Sequence, residues 1–131
     1  VSFLDALPLN YDETTLQTIE QIDVIWLKGR SIVRVFEVEH TTSIYSGILR
    51  MADLMALQPN LDIRAHIVAP LDRREKVLRE LRRPVFSLLE KGPLANYCSY
   101  IGYEEIETLA NEKFIGHMTD SVLEEIAEYS E

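Results

Sequence analysis

The sequence predicts an α/β domain: a small mixed β-sheet flanked by helices. Three observations carry that prediction. Two apolar runs rich in β-branched and aromatic residues, 22–27 and 31–40, flank Lys28-Gly29-Arg30, which is the pattern of a hairpin. Residues 61–69 alternate, with Ile63, Ala65 and Ile67 on one side and Asp62, Arg64 and His66 on the other, as in a half-buried strand. Between and after these runs the apolar spacing is helical.

Taken in order, residues 1–10 are irregular, with Pro8 and Asn10. Asp12 can cap a short helix over 12–20, whose inner face is Thr15, Leu16 and Ile19. The hairpin strands follow. Any of Thr41, Thr42 and Ser43 can cap the next helix, 43–57, where Ile44, Ile48, Met51, Ala52 and Met55 form the core stripe. Gly47 within it weakens the helix and points to a close approach to the sheet. Pro59 and Asn60 end that helix, and Pro70 ends the third strand. Asp72 caps a helix to about Arg83 with Val77, Leu78 and Leu81 inside. Pro84 breaks or restarts it, and it resumes to about Glu90. After Gly92-Pro93, residues 97–103 form a short strand or turn. Two amphipathic helices are expected near 103–112 and 119–129.

At 131 residues the chain is expected to be one domain, with its core over about 12–90 and an acidic helical segment at 104–131. No apolar run reaches the roughly 18 residues of a membrane helix. The start on Val1 and the absence of a signal-like segment suggest a domain from the C-terminal part of a longer chain. One cysteine, Cys98, excludes an internal disulfide framework and fits a reducing, cytoplasmic compartment. Of the net charge of −9, residues 104–131 carry nearly all: nine acids against Lys113. Six of the thirteen bases lie between Arg73 and Arg83: Arg73, Arg74, Lys76, Arg79, Arg82 and Arg83. That cluster is either a solvated helix face or a face that contacts phosphates.

The chemistry-bearing residues are Asp23, Glu37 and Glu39. Carboxylates are depleted in strands and almost never buried unpaired. Glu37 and Glu39, two apart, share a strand face. Three acids converging on one sheet edge suit a divalent cation better than a core. The alternative is a set of solvent-facing acids paired with Arg34 or Arg64, a weak arrangement of about 0.2–1 kcal/mol per pair. A glycine-rich phosphate loop, a dinucleotide fingerprint and zinc-spaced Cys or His are all absent from the sequence.

Asp23-Val24-Ile25-Trp26-Leu27-Lys28-Gly29, the hairpin, and Phe36-Glu37-Val38-Glu39 together resemble the restriction-endonuclease-like superfamily, with its PD-(D/E)XK motif, in the flavour of archaeal Holliday-junction resolvases. The resemblance covers about residues 12–70 and includes the α-β-β-α-β order. It implies a restriction-endonuclease-like core in which Asp23 and Glu37 bind Mg²⁺ or Mn²⁺ with the Val38 carbonyl, and a nucleic-acid phosphodiester is hydrolysed. Glu39 stands in the family's Lys position, where it implies a base or a further ligand, and Lys28 and Arg34 are candidates for the replaced cation. An upstream acid would be Glu20 or Glu13. Arg64, His66, Arg73, Arg74, Lys76 and Arg79 are the expected nucleic-acid contacts. The remaining candidates are weaker: Tyr45 as a polar residue facing the site, Trp26 as core or stacking platform, and His40 as structural.

Two functions follow from that resemblance. One is a metal-dependent nuclease domain of a prokaryotic restriction or repair protein, acting on nucleic acid, expected to be DNA. The other is a domain that has lost catalysis with its lysine and serves as a nucleic-acid-binding or homodimerisation module of its parent chain.

Overall fold

The structure, a computed structural model, describes residues 11–39, 44–111 and 120–130. Asp12 opens α1 (Glu13–Glu20) by accepting the Thr15 N–H at 3.1 Å, the cap that the sequence predicts. β1 (Val24–Lys28) and β2 (Ser31–Val38) form the hairpin. Gly29 takes φ +66°, the left-handed conformation that a two-residue hairpin loop requires. Pairing then slips: Leu27 faces Ile32, but Trp26 faces Arg34, leaving Val33 as an extra residue. This bulge puts Ile32 and Arg34, two apart in sequence, on opposite faces.

β2 leads through α2 (Ile44–Leu57) to β3 (Arg64–Ala69), which runs parallel to β2. α3 (Arg74–Leu81) then leads to β4 (Cys98–Gly102), parallel to β3. α4 (Tyr103–Asn111) and α5 (Asp120–Ile126) follow. β5 (Glu128–Tyr129) closes the sheet antiparallel to β4, giving the order β1-β2-β3-β4-β5. The mixed sheet with helices around it is the fold class that the sequence predicts.

One face of the sheet carries the larger core. Ile19 of α1, Ile48, Met51, Leu54 and Met55 of α2, and Val77 and Leu81 of α3 pack over Val35, Ala65, Ile67, Cys98 and Tyr100. The other face is smaller: Phe36, Val68 and Ile101 lie under Leu123 of α5, with Trp26, Ile106 and Ile126 at the margin. Trp26 sits 5.4 Å from the Phe36 ring and is part of that packing.

Several expectations need correction. β3 is not half-buried: His66 and Val68, on its supposed polar side, are enclosed because α5 covers that face. The core does not end near residue 90, since β4 lies inside the sheet and Leu123 is fully buried. Asp72 does not cap α3. Residues Leu71–Arg73 make a 3-10 turn closed by the Arg73 N–H on the Pro70 carbonyl, and the helix starts at Arg74. Beyond Pro84 the helix does not resume; Pro84–Ser87 is a 3-10 turn. The last helix ends at Ile126, where the chain turns into β5. The candidate caps Thr41, Thr42 and Ser43, and His40, lie outside the described residues. Among the described residues no helix is long and apolar enough to cross a membrane.

Candidate functional site at the end of the second strand

The three acids that the sequence singles out lie at the same end of the hairpin, where β2 runs out beside α2. Val24 pairs with Phe36, which sets Asp23 level with Glu37 on the face covered by α2. The Asp23 carboxylate accepts the Val38 N–H at 2.8 Å, tying the start of β1 to the end of β2. Glu39 lies one residue past β2, with its N–H on the Val68 carbonyl at 2.8 Å. Its carboxylate rests against Gly47 of α2: a Cβ there would overlap Oε1 of Glu39 and come within 3.4 Å of the Glu37 Cβ. The glycine that costs α2 helix stability is therefore what lets the helix close over the acids.

Glu37 is only 1% exposed. A buried carboxylate needs a paired cation and full hydrogen bonding. Arg50 supplies both from α2: its Nε donates to Oε1 and its Nη2 to Oε2, each at 3.0 Å. Burial pushes the Glu37 carboxyl above its ordinary value; the Arg50 fork pulls it back, and the Asp23 charge pushes it up again. Arg50 in turn is held more firmly protonated, chiefly by its bond to Glu37 and further by the charges of Glu39 and Asp23.

The site cation is thus neither of the two that the sequence suggested. Lys28 is exposed at the other end of β1. Arg34 points to the opposite face, where its Nη1 reaches His66 Nε2 at 2.8 Å and Glu124 Oε1 at 3.0 Å. Arg64 donates to the Asn96 carbonyl. One signal for Arg50 stood in the sequence: it follows Gly47 by three residues, so both lie on the helix face turned to the sheet.

As the side chains stand, no three His, Cys, Asp or Glu residues among the described ones are close enough to share a metal ion. Glu13 and Glu20 are exposed on α1. Tyr45 turns away, stacking 6.0 Å from Phe86 with the Arg83 guanidinium 4.9 Å over its ring.

The expected nucleic-acid contacts are scattered. His66 is fully buried, with Nδ1 2.6 Å from Ser99 Oγ. Because Arg34 can only donate, Nε2 accepts and the proton sits on Nδ1. Burial and the Arg34 charge depress the His66 pKa to about 4, keeping the ring neutral. Contact between His66 and a phosphate is closed off by α5. Arg64 donates to the Asn96 carbonyl at 2.9 Å and lies over the Tyr97 ring. It borders an open groove of about 590 Å³ that Glu124 and Tyr129 also line. On α3, Arg74 grips Glu128 at 3.0–3.1 Å and also pairs with Glu75. Arg79 is exposed, Lys76 and Arg73 are half-buried, and neither Arg73 nor Arg82 is without a partner.

Comparison with known proteins adds to this geometry. The model of a family described as the Type II restriction enzyme NmeDI C-terminal domain matches residues 1–130. The chain belongs to that family. It is 38% identical over 96 residues to the Type II restriction enzyme NmeDI of Neisseria meningitidis serogroup C, a match spanning 72% of this chain and 26% of the relative. The chain therefore corresponds to about a quarter of that relative's length. No solved structure matches. Membership in the NmeDI C-terminal family is consistent with the restriction-related resemblance of the hairpin acids.

Proposed function

We propose that this domain is the divalent-metal-dependent nuclease part of a restriction enzyme, of the PD-(D/E)XK kind, and hydrolyses DNA phosphodiester bonds. The observation that carries the reading is the placing of Asp23, Glu37 and Glu39 at the end of the hairpin, with Gly47 of α2 set against Glu37 and Glu39 and Asp23 bonded to the Val38 N–H. Membership in a family named for a restriction enzyme supports it.

The donor chemistry fits a hard cation, which takes carboxylate and carbonyl oxygens. Asp23 and Glu37, with the Val38 carbonyl, would hold Mg²⁺ or Mn²⁺. When bound, the ion lowers the pKa of a coordinated water and stabilises negative charge on the phosphate. Glu39 takes a proton from the attacking water or serves as a further ligand. The Asp23 bond to the Val38 N–H ties the two strand ends together and would keep Asp23 level with Glu37. Arg79 and Lys76 on α3 are the remaining candidates for phosphate contact.

A second reading is favoured by the Arg50 fork, which occupies both Glu37 oxygens. In that reading the site is inert and the domain binds nucleic acid or a second copy. A thermal melt with EDTA, Mg²⁺ and Mn²⁺ separates the two. An ion at a hundred times its dissociation constant stabilises by about 2.7 kcal/mol. A Mn²⁺ shift that Glu37→Ala abolishes, together with loss of DNA cleavage, is the expected result. Absence of any shift in the natural protein would leave the inert module.

A further inference from the structure

On the PD-(D/E)XK reading Glu39 stands where a lysine is expected, and α2 brings a cation to the site. Arg50 reaches Glu37 from α2, and both arms of its fork lie on the two oxygens that a metal ion would use. We propose that Arg50 is a displaceable counter-cation: it holds Glu37 in the free protein, competes with the divalent ion for it, and once displaced turns its fork onto the substrate phosphate. The second half rests on the nuclease reading; the competition for Glu37 does not.

Three features of the pair support exchange rather than a fixed strut. First, the partners differ in freedom. The Glu37 side chain is 2% exposed and anchored in a strand bonded on both sides, whereas the Arg50 side chain is 29% exposed. Arginine is also long and rich in rotamers, so Arg50 is the member that moves. Second, the attraction holding Arg50 comes from Glu37, Glu39 and Asp23 together. A divalent ion on the same acids would cancel two of those three negative charges and remove most of that attraction. Third, a freed guanidinium beside a metal-bound phosphate matches it in shape, since its parallel N–H groups pair with two phosphate oxygens. A lysine at this place would offer charge without the fork.

The experiment is a calorimetric titration with Mn²⁺ alone on the natural protein, Arg50→Gln, Arg50→Lys and Glu37→Ala, alongside a DNA cleavage assay. Losing one charge-assisted pair that competes for the ion is expected to tighten Mn²⁺ binding about tenfold in Arg50→Gln. Arg50→Lys is expected between the two, having kept the charge but lost the fork. Cleavage by Arg50→Gln is expected to fall about a hundredfold, as when a charge-stabilising donor is removed.

Equal or weaker Mn²⁺ binding in Arg50→Gln overturns the proposal, and the metal reading survives if the natural protein binds Mn²⁺ and Glu37→Ala does not. Binding in Arg50→Gln with none in the natural protein supports the competition and removes the nuclease reading. No binding in any variant overturns both. Tighter binding with cleavage at the natural rate overturns the transfer to phosphate. Should Arg50→Gln fail to fold, Arg50→Lys carries the test, and binding equal to that of the natural protein overturns the proposal.

Discussion

His66 shows how a single residue is decided by what covers it. Its ring is enclosed between Arg34 and Ser99, and its pKa falls to about 4 through burial and the neighbouring guanidinium. In the unfolded chain the ring titrates near its ordinary value of 6.5. Between those values the unfolded chain takes up a proton that the folded protein refuses. The stabilising contribution is therefore complete above about 6.5 and is lost as pH falls toward about 4, by on the order of 3 kcal/mol. Urea unfolding across that pH window should show the loss in the natural protein and a smaller one in His66→Gln. Equal slopes would mean that the ring is not neutral when folded. No sequence signal announced this environment. Beside Arg64 and Asp62, His66 has the period-two position of a solvent-facing residue, and only α5 folding back from fifty residues away encloses it. Asp23, Glu37 and Glu39 were legible because acids in a strongly apolar hairpin conflict with their surroundings and need a reason. Arg50, in an ordinary amphipathic helix, presents no such conflict.

At the scale of elements, α2 is fitted to the end of β2 at one position. Gly47 leaves room for the Glu39 carboxylate, and an added Cβ would meet that side chain's far end and lie 3.4 Å from the Glu37 Cβ. Alanine gains about 0.5–1 kcal/mol of helix preference over glycine. The Glu39 carboxylate is at the end of a flexible side chain and can swing aside. Gly47→Ala should therefore melt within a few degrees of the natural protein, while Glu39 is displaced and, on the proposed nuclease function, metal-dependent cleavage is lost. A melt and a cleavage assay on the same preparation check this; full activity would show that Glu39 does not act where it now rests. The bulge at Val33 acts at the same scale. It switches the facing of Arg34 relative to Ile32, so Arg34 joins His66 on one face while Val35 and Glu37 turn to the other. A regular strand drawn from the sequence cannot place both, because a one-residue slip inverts every later side chain.

For the whole molecule, the acidic C-terminal stretch is part of the body. Leu123 is fully buried against Phe36, Val68 and Ile101. Glu124 pairs with Arg34, Glu128 with Arg74, and β5 completes the sheet. Two acids of that segment thus meet arginines of the earlier ones. Leu123→Ala should cost about 2–5 kcal/mol, the range for truncating a buried leucine. Urea unfolding would measure it, and a loss below about 0.5 kcal/mol, the size of a surface substitution, would mean that residues 120–130 are dispensable to the fold.

The sequence by itself determined the mixed α/β class, the hairpin, the core stripe of α2 and the three acids at the end of the hairpin. These rest on local periodicity and on residues at odds with their neighbourhood. The tertiary structure alone decided which cation pairs with Glu37, which face of β3 is covered, and that β5 closes the sheet. Each of these depends on a contact between segments far apart in the chain, and the spacing within one segment holds no record of what the other brings to it.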